Sequence, residues 1–299
     1  MRILTHIVTP EEHGRAVRSV VPRVFRLGEH AFRRLKVLEA ILINGQPARA
    51  SRILSTGDVI EVHLPSEDAQ SIAPASTDNN LPASFIRYMD EDILVVSKGA
   101  PLPTLPASHI ASGTLREQII AMLGADASSF TYHPVNRLDK GTSGLLVIAR
   151  HAHAQRLLTN QLHTRSFIRE YLAVTEGIPS QMEGTIDAPI ARLGTGARRA
   201  VLEDGLPSVT HYRVISTHGS RALIRLRLET GRTHQIRVHL SHIGCPIAGD
   251  YLYGKPLPEL SGRFALHSAY LSCVQPITGQ NIEIDEPLPD ALAALLHLE

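Results

Sequence analysis

The stretch HPVNRLDKGTSGLLVIAR, residues 133–150, places a carboxylate among neighbours that could position it for chemistry. Asp139 lies two residues after Arg137 and beside Lys140, and a Gly-Thr-Ser-Gly turn with hydrogen-bond donors follows. Such neighbours favour a charged carboxylate. An ionised, positioned aspartate acts as a nucleophile or a base, or it is a structural residue that caps a turn. Taken alone, the stretch favours the structural interpretation, because turn aspartates are far commoner than catalytic ones.

Two further stretches could complete a site around Asp139. FIREYLAVTEG, residues 167–177, is a strand-like segment with a central tyrosine, and LETGRTHQIRVHLSHIGCPIAGDYLYG spans residues 228–254. Together with VNRLDKGTSGLLV, and in this order, they resemble the RluA-type pseudouridine synthase family. The resemblance covers about residues 85–289. The combination of Arg-Leu-Asp-x-x-Thr-Ser-Gly with Gly-Arg-Thr-His-Gln-Ile-Arg is highly specific.

The resemblance implies an isomerase that acts on uridine in RNA. Asp139 corresponds to the catalytic aspartate, which acts on the ribose so that the C1′–N1 bond breaks and uracil reattaches through C5. Tyr171 corresponds to a tyrosine that stacks on the base and is placed to remove the C5 proton. Arg237 corresponds to the arginine that pairs with the carboxylate, and we expect a bidentate contact. Further substrate-binding residues are expected at Asn136, Arg137, Arg232 and Leu266, the last of which lines the uracil pocket.

The reaction implied by the resemblance adds and removes no atoms, so it requires no redox cofactor, nucleotide or metal. A uridine inside a helix is out of reach, so the target must be unpaired or flipped, and Arg137 is a candidate to fill the vacated space. His234, His239 and His242 invite a metal interpretation. No acid or cysteine close by completes that set, and we therefore expect no metal.

The chain departs from the family pattern at three points. Asn136 replaces the usual histidine before Arg-Leu-Asp, and because an amide does not titrate near neutral pH, no proton transfer is expected there. Arg169 replaces the usual lysine before the tyrosine. Gly99-Ala100-Pro101 replaces Pro-Ala-Gly, which predicts an altered loop. These departures bear on the class of RNA more than on the reaction.

The elements around the motifs predict an α+β fold with a mixed, mostly antiparallel sheet and flanking helices, since strand patterns outnumber helical ones and are separated by hairpin-like distances. Thr114 and Glu117 predict a capping box at the start of one helix. Helical spacing is found in VRSVVPRVFR, AFRRLKVLEAILING, TLREQIIAML and HAHAQRLLTNQLHTR. Strand patterns are found in SFIRYMDEDILVVS (two strands), GLLVIAR, REYLAVTEG, TIDAPIAR, VTHYRVISTHG and RALIRLRLET.

Residues 1–66 are predicted to form a separate small α/β module, 67–84 a Pro-, Ser- and Asn-rich linker, and 85–299 the catalytic domain. RRLKVLEAILINGQPARASRILSTGDVIEV, with its surroundings at about residues 14–64, resembles the S-four-type RNA-binding domain. That resemblance implies contacts to RNA phosphates from Arg33, Arg34, Lys36, Arg49 and Arg52. The alternative is that these charges form an ordinary solvated helix face.

The formal net charge of the chain is +1, but its N-terminal segment is basic, since residues 1–65 contain ten Arg or Lys and six Asp or Glu. Such an excess of positive charge suits a phosphate-binding surface. Two cysteines outside any CxxC pair favour a reducing compartment, the cytoplasm. No apolar run predicts a signal peptide or a membrane span.

The expected partner is RNA, bound by a monomer, with large-subunit ribosomal RNA as the first choice and transfer RNA as the alternative. A different class of function is a non-catalytic RNA-binding or ribosome-assembly factor on the same scaffold. The presence of Asp139, Tyr171 and Arg237 argues against that class.

Overall fold

The computed structural model describes residues 2–65, 85–106, 112–123, 131–162 and 164–297. The strands divide between two main sheets and one short hairpin. The predicted linker at 67–84 lies outside the described residues. None of the described helices has the length and apolar character that crossing a membrane requires.

The N-terminal sheet is antiparallel and is covered by two helices. Its elements are β1 (Arg2–Ile7), α1 (Val17–Val24), α2 (Glu29–Val37), β2 (Ile41–Ile43), β3 (Gln46–Pro47) and β4 (Val59–Leu64). The strand order is β1-β4-β2-β3. Asn44 and Gly45 join β2 to β3 with φ of 55° and 76°, as a tight two-residue hairpin requires. The sequence did not predict β1, because Leu4 is its one buried side chain and no apolar alternation marks the strand.

A separate hydrophobic core lies between this sheet and its helices. It includes Val20 and Val21 of α1, Leu35 of α2, and Ile43 and Ile60 of the sheet. The apolar faces of both helices therefore point at the sheet, and their Arg and Lys residues remain outside, as the sequence predicted.

Twelve strands and four α-helices follow in the described residues from 85 onward. They are β5 (Ile86–Met89), β6 (Ile93–Lys98), α3 (Leu115–Leu123), β7 (His133–Pro134), β8 (Ser143–Ala149), α4 (Ala152–Gln161), β9 (Ile168–Glu176), β10 (Glu183–Asp187), β11 (Ile190–Arg192), β12 (Arg199–Val201), β13 (Val209–His218), β14 (Arg221–Leu228), α5 (Gln235–His242), β15 (Leu266–Val274), β16 (Asn281–Asp285) and α6 (Asp290–Ala293). β11 and β12 pair only with each other, and the remaining ten strands form one sheet.

The large sheet has the order β10-β13-β14-β9-β15-β8-β6-β5, with β16 added to β15 and β7 added to β8. All its described pairings are antiparallel except that of β15 with β8. The predicted α+β class and mostly antiparallel sheet are thus confirmed. The segment TIDAPIAR forms two strands, β10 and β11, rather than one, and Pro189 lies in the break between them.

β8 lies inside the sheet and is buried along its whole length. Leu146 and Ile148 point into one hydrophobic cluster and Leu145 and Val147 into another. Since successive strand residues face opposite sides, apolar layers cover both faces at this point. The loop that carries Asp139 runs directly into β8. The C-terminal end of this loop is therefore anchored in a strand that is buried along its whole length.

The predicted capping box at α3 is half formed. Glu117 Oε2 accepts hydrogen bonds from the backbone N–H groups of Gly113 (2.6 Å) and Thr114 (3.3 Å). Thr114 Oγ1 is buried without a hydrogen-bond partner. Glu117, the acidic residue of the motif, therefore satisfies two backbone N–H groups at the start of α3.

Residues of α4 and of two turns beside the large sheet contact the N-terminal unit. Arg2 Nε donates to the buried carboxylate of Asp92 at 2.8 Å, Arg156 donates to the carbonyl of Arg26, and Ile277 packs against the N-terminal core. These contacts hold the N-terminal unit against α4 and the turns that follow β5 and β15.

Candidate active site

A pocket of about 950 Å³ opens beside the large sheet. Most of its wall comes from three parts of the chain: the loop 134–142, which leads into β8; side chains of β9; and the segment 228–237, which runs from the end of β14 into α5. Residues 103–106, Leu162, Arg199 and Leu266 complete it. The pocket brings together all seven residues that the sequence placed at the catalytic and substrate-binding site: Asn136, Arg137, Asp139, Tyr171, Arg232, Arg237 and Leu266.

The Asp139 loop is fixed by hydrogen bonds to its backbone. Thr142 N–H donates to the carbonyl of Asp139 at 3.0 Å, and Thr104 Oγ1 donates to the carbonyl of Leu138 at 2.8 Å. The buried Lys98 ammonium donates to the carbonyl of Lys140 at 3.4 Å. The loop therefore presents the carboxylate of Asp139, with 28% of its side chain exposed, from a backbone with little freedom.

Two glycines allow this loop to approach its neighbours. A Cβ at Gly141 would lie 2.6 Å from the ring of Phe264, and a Cβ at Gly144, whose φ is +105°, would lie 2.2 Å from the carbonyl oxygen of Ser268. Gly144 is the point where β8 meets β15 in parallel register. Larger residues at either position would push the loop away from the sheet.

Arg237 connects Asp139 to a second carboxylate. Its Nη1 donates to Asp139 Oδ2 at 3.2 Å. Its Nε and Nη2 donate to Asp250 Oδ2 and Oδ1 at 2.7 and 2.8 Å, and Asp250 is fully buried. The ring of Phe264 lies 4.2 Å from the guanidinium carbon. Burial opposes the charge of Arg237, but hydrogen bonding and attraction from Asp250, with a smaller contribution from Asp139, raise its pKa above the ordinary value.

The expected bidentate contact between Arg237 and Asp139 is therefore wrong. The bidentate partner is Asp250, and Asp139 receives a single hydrogen bond. Asp250 accepts two more bonds, from the backbone N–H groups of Leu252 and Tyr253. Asp250 is visible in the sequence as the acid of the stretch CPIAGDYLYG. Because 13 residues separate it from Arg237, no local pattern indicated that the two side chains pair.

Tyr171 and Leu266 form an apolar part of the pocket wall. Leu266 of β15 pairs with Ala173 of β9, and Ala173 is two residues from Tyr171, so both pocket side chains lie on the same face of the sheet. Tyr171 is 5% exposed. Burial raises the pKa of Tyr171, the Asp139 carboxylate adds to this shift, and Arg169 opposes it. The phenol therefore carries its proton at neutral pH.

Asn136 makes a structural contact. Its Oδ1 accepts a hydrogen bond from the backbone N–H of Val147 at 3.1 Å, while its Nδ2 is buried without a partner. The side chain thus connects the Asp139 loop to β8. Arg137 and Arg232, by contrast, are exposed at the pocket, where their guanidinium groups are accessible to a ligand.

His234 and His239 have structural contacts rather than a shared ligand. His234 Nδ1 lies 2.9 Å from the hydroxyl of Tyr253, and its Nε2 lies 3.9 Å from Asp139 Oδ2. Burial lowers the pKa of His234, although Asp139 counteracts the shift. His239 is bonded to Thr210 and to the carbonyl of Ala188. Within the described segments, no group of three or more His, Cys, Asp or Glu side chains is placed to hold a metal ion.

The basic residues of the N-terminal unit are outside the pocket. Arg33, Arg34 and Lys36 are exposed on α2, and Arg49 and Arg52 follow β3. Arg33 pairs with the exposed Glu29 at 2.8 Å, and the Lys36 ammonium lies 5.3 Å from the centroid of the Phe32 ring. Arg33, Arg34 and Lys36 thus give α2 an exposed cationic surface that is not part of the pocket lining.

Comparison with known proteins now identifies the family. A family model described as RNA pseudouridylate synthase matches residues 92–242, the region that carries Asp139, Tyr171 and Arg237. The chain is 36% identical over 309 residues to the ribosomal large subunit pseudouridine synthase D of Haemophilus influenzae, covering 97% of this chain and 93% of that protein. The chain belongs to the RluA-type family of RNA pseudouridine synthases.

Other relatives agree with this RNA pseudouridine synthase assignment. The Bacillus subtilis protein named uncharacterized RNA pseudouridine synthase YjbO is 37% identical over 258 residues, with 86% of this chain and 89% of that protein covered. The solved structure of human RNA pseudouridylate synthase domain containing 4 is similar with a TM-score of 0.57 and 26% identity, covering 71% of this chain and 91% of that chain. The synthase is thus an isomerase that acts on RNA.

Proposed function

We propose that this synthase converts uridine to pseudouridine in large-subunit ribosomal RNA, with Asp139 as the catalytic carboxylate. The observation that carries the role of Asp139 is its position. Among the described residues that line the pocket it is the one acid, and a buried arginine orients it from behind. The ribosomal target is supported by relatives whose names specify the large ribosomal subunit.

The chemistry requires one free carboxylate oxygen near the ribose. Breaking the C1′–N1 bond, turning the uracil and joining C5 to C1′ moves one proton from C5 to N1 with no net change in atoms. Asp139 either adds to C1′ or removes the C2′ proton, and both routes need a fixed carboxylate. Arg237 binds Oδ2, and no described group donates a hydrogen bond to Oδ1, which leaves that oxygen for the ribose.

The base is proposed to lie between Tyr171 and Leu266. Stacking of a base on an aromatic side chain contributes about 1–3 kcal/mol and tolerates any base, since every base has a π face. Tyr171 is also the proposed group for proton transfer from C5: because the phenol is protonated in the free protein, its oxygen accepts the C5 proton while its own proton passes towards N1. Arg137, exposed at the pocket, is the candidate to occupy the space that a flipped uridine leaves in the RNA.

The decisive experiment maps pseudouridine in total RNA from cells with the gene, without it, and with the gene carrying Asp139→Asn. Loss of a site in large-subunit ribosomal RNA, restored by the wild-type gene and not by Asp139→Asn, is the expected result. Asp204→Asn, at an exposed turn away from the pocket, is the matched control and should restore the site. A site lost only from transfer RNA would overturn the target, and restoration by Asp139→Asn would overturn the catalytic role.

We further propose that residues 1–66 form an RNA-binding domain beside a catalytic domain of residues 85–299. The support is the exposed cationic surface on α2. Replacing Arg33, Arg34 and Lys36 with alanine should weaken RNA binding and make it less dependent on salt, by about 2–3 in the slope of log affinity against log salt. Arg213→Ala is the control, since that arginine is exposed and paired with Glu183. An unchanged slope in the triple variant would assign the module to another role.

A further inference from the structure

One arginine in the pocket wall, Arg169, has no anionic partner among the described residues. Arg169 is 6% exposed, and its Nε is buried without a hydrogen-bond acceptor. Its ring contact is with Phe167, whose centroid lies 5.7 Å from the guanidinium carbon. Through the whole described part of the chain, no carboxylate pairs with Arg169. Arg237, in the same pocket, has two carboxylates.

An unpaired buried charge of this kind is costly to the folded protein. An arginine side chain keeps its charge in proteins, so the cost remains. Retaining such a group in a pocket wall is therefore most readily explained by a ligand that supplies the missing negative charge.

The pocket as a whole has an excess of positive charge. Its described lining contains one carboxylate, Asp139, which is already bonded to Arg237. Six lining side chains are cationic: Arg137, Lys140, Arg169, Arg199, Arg232 and Arg237. A neutral uracil base leaves this excess unbalanced, whereas the phosphates that flank a nucleotide in RNA carry the required charge.

The location of Arg169 indicates which part of a nucleotide it would meet. Arg169 and Tyr171 are two residues apart on β9 and share a face of the sheet. The guanidinium lies over the backbone of the segment that carries Arg232, since a Cβ at Gly231 would be 3.5 Å from Arg169 Nη1. A nucleotide whose base stacks on Tyr171 would thus have its sugar and phosphate within the same small region.

We propose that Arg169 binds a backbone phosphate of the target nucleotide. The ligand class is a phosphodiester of RNA, which the planar guanidinium fork matches with two parallel N–H donors. The proposal rests on the proposed function, because it assumes that a uridine in RNA occupies the pocket. It adds a binding contact that the resemblance to the family did not assign to this position.

The test compares uridine with uridine 3′,5′-bisphosphate as ligands of the full-length protein, by calorimetry. The wild type should bind the bisphosphate about 10- to 100-fold more tightly than uridine, the range expected for a hydrogen bond to a charged group. Arg169→Gln should lose most of that difference with little change for uridine, and Arg169→Lys should keep part of it. Arg213→Gln, outside the pocket, should behave as wild type.

A stability measurement separates binding from structure. Because Arg169→Gln removes an unpaired buried charge, its melting temperature should equal or exceed that of the wild type. A clear fall in melting temperature, with equal loss of both ligands, would assign Arg169 a structural role and overturn the proposal.

Three ligand results would also overturn it. They are a wild type that binds both ligands equally, an Arg169→Gln variant that keeps the full difference, and displacement of the bisphosphate by an equal concentration of inorganic phosphate. Failure of the proposed function is distinct, since it would appear as absence of pseudouridine formation by the wild type in cells.

Discussion

Arg237 donates two hydrogen bonds to Asp250 and one to Asp139. The fully buried Asp250 therefore fixes the plane of the guanidinium, and the guanidinium in turn fixes one oxygen of the proposed catalytic carboxylate. We expect Asp250 to act as a positioning residue, because it binds Arg237 and is absent from the pocket lining. Its effect on the reaction passes through Arg237.

Asp250→Asn should lower kcat far more than it changes KM. The amide places a donor against the donors of Arg237, which breaks the bidentate pair and frees the guanidinium to rotate. Loss of an outer partner of this kind costs about 10- to 100-fold in activity, and breaking a buried pair costs about 3–5 kcal/mol of stability. Steady-state kinetics at a temperature where the variant is folded, as shown by circular dichroism, provide the measurement.

Arg237→Lys is the companion variant, because it keeps the positive charge but loses the planar set of N–H donors of the guanidinium. It should also lower kcat, because one ammonium cannot hold both carboxylates in the same plane. An Asp250→Asn enzyme that is folded and retains wild-type kcat would contradict the positioning role.

At position 136, replacement of asparagine by histidine is expected to preserve stability, whereas replacement by leucine is expected to lower it. A histidine ring nitrogen can accept the hydrogen bond from the Val147 N–H that Asn136 Oδ1 now accepts, so Asn136→His should change activity and melting temperature little. Asn136→Leu leaves that buried N–H unsatisfied, at a cost of about 1–3 kcal/mol. Urea denaturation of the two variants measures the difference, and equal stability of both would show that the hydrogen bond is unimportant.

The local motifs predicted much of this site, and the tertiary contacts account for what they missed. Asp139, Tyr171 and Arg237 each belong to a short pattern whose neighbours mark it, and the structure brings all three to one pocket. Asp250 and Phe264 act on Arg237 from segments beyond α5, and no periodicity relates those segments to it. The pairing of Arg237 was misjudged for the same reason, since two acids were within reach and only the fold decides between them.

Burial explains why strand prediction failed for β1, at the start of the chain, and succeeded for β8, near its middle. β8 is apolar throughout and was predicted from its run of Leu, Val and Ile. β1 has one buried side chain among its six residues and pairs with β4 through backbone hydrogen bonds, which leave no mark on the choice of side chains. A strand with one buried residue leaves no pattern to detect.

Tyr171→Phe should separate stacking from proton transfer. The ring remains, so RNA affinity should stay within about twofold, while removal of a group that transfers a proton lowers the rate by about 10²- to 10⁴-fold. Tyr171→Leu removes the aromatic face as well and should weaken RNA binding in addition. Single-turnover rates and filter binding on the same RNA measure both effects, and full turnover by Tyr171→Phe would restrict Tyr171 to stacking.

Lys98 should make the stability of the protein rise with pH above neutrality. Burial lowers the pKa of Lys98 to about 7, Asp139 opposes the shift and Arg263 adds to it, whereas the ordinary value of 10.5 applies in the unfolded chain. Between these two values the unfolded chain holds a proton that the folded protein has released. The free energy of unfolding therefore increases with pH in this window, by at most about 1.4 kcal/mol per pH unit.

Lys98→Met removes this contribution, and a comparison with wild type isolates it from other titrating groups. Urea denaturation at about pH 7, 8 and 9 gives the free energy of unfolding of both proteins. The value for the wild type minus the value for the variant should increase at each step. The gain should shrink through the ordinary value of 10.5 and vanish above about pH 11, where the unfolded chain also releases its proton. Parallel curves would mean that the ammonium, bonded to the carbonyls of Gly99, Leu102 and Lys140, keeps its proton in the folded protein despite its burial.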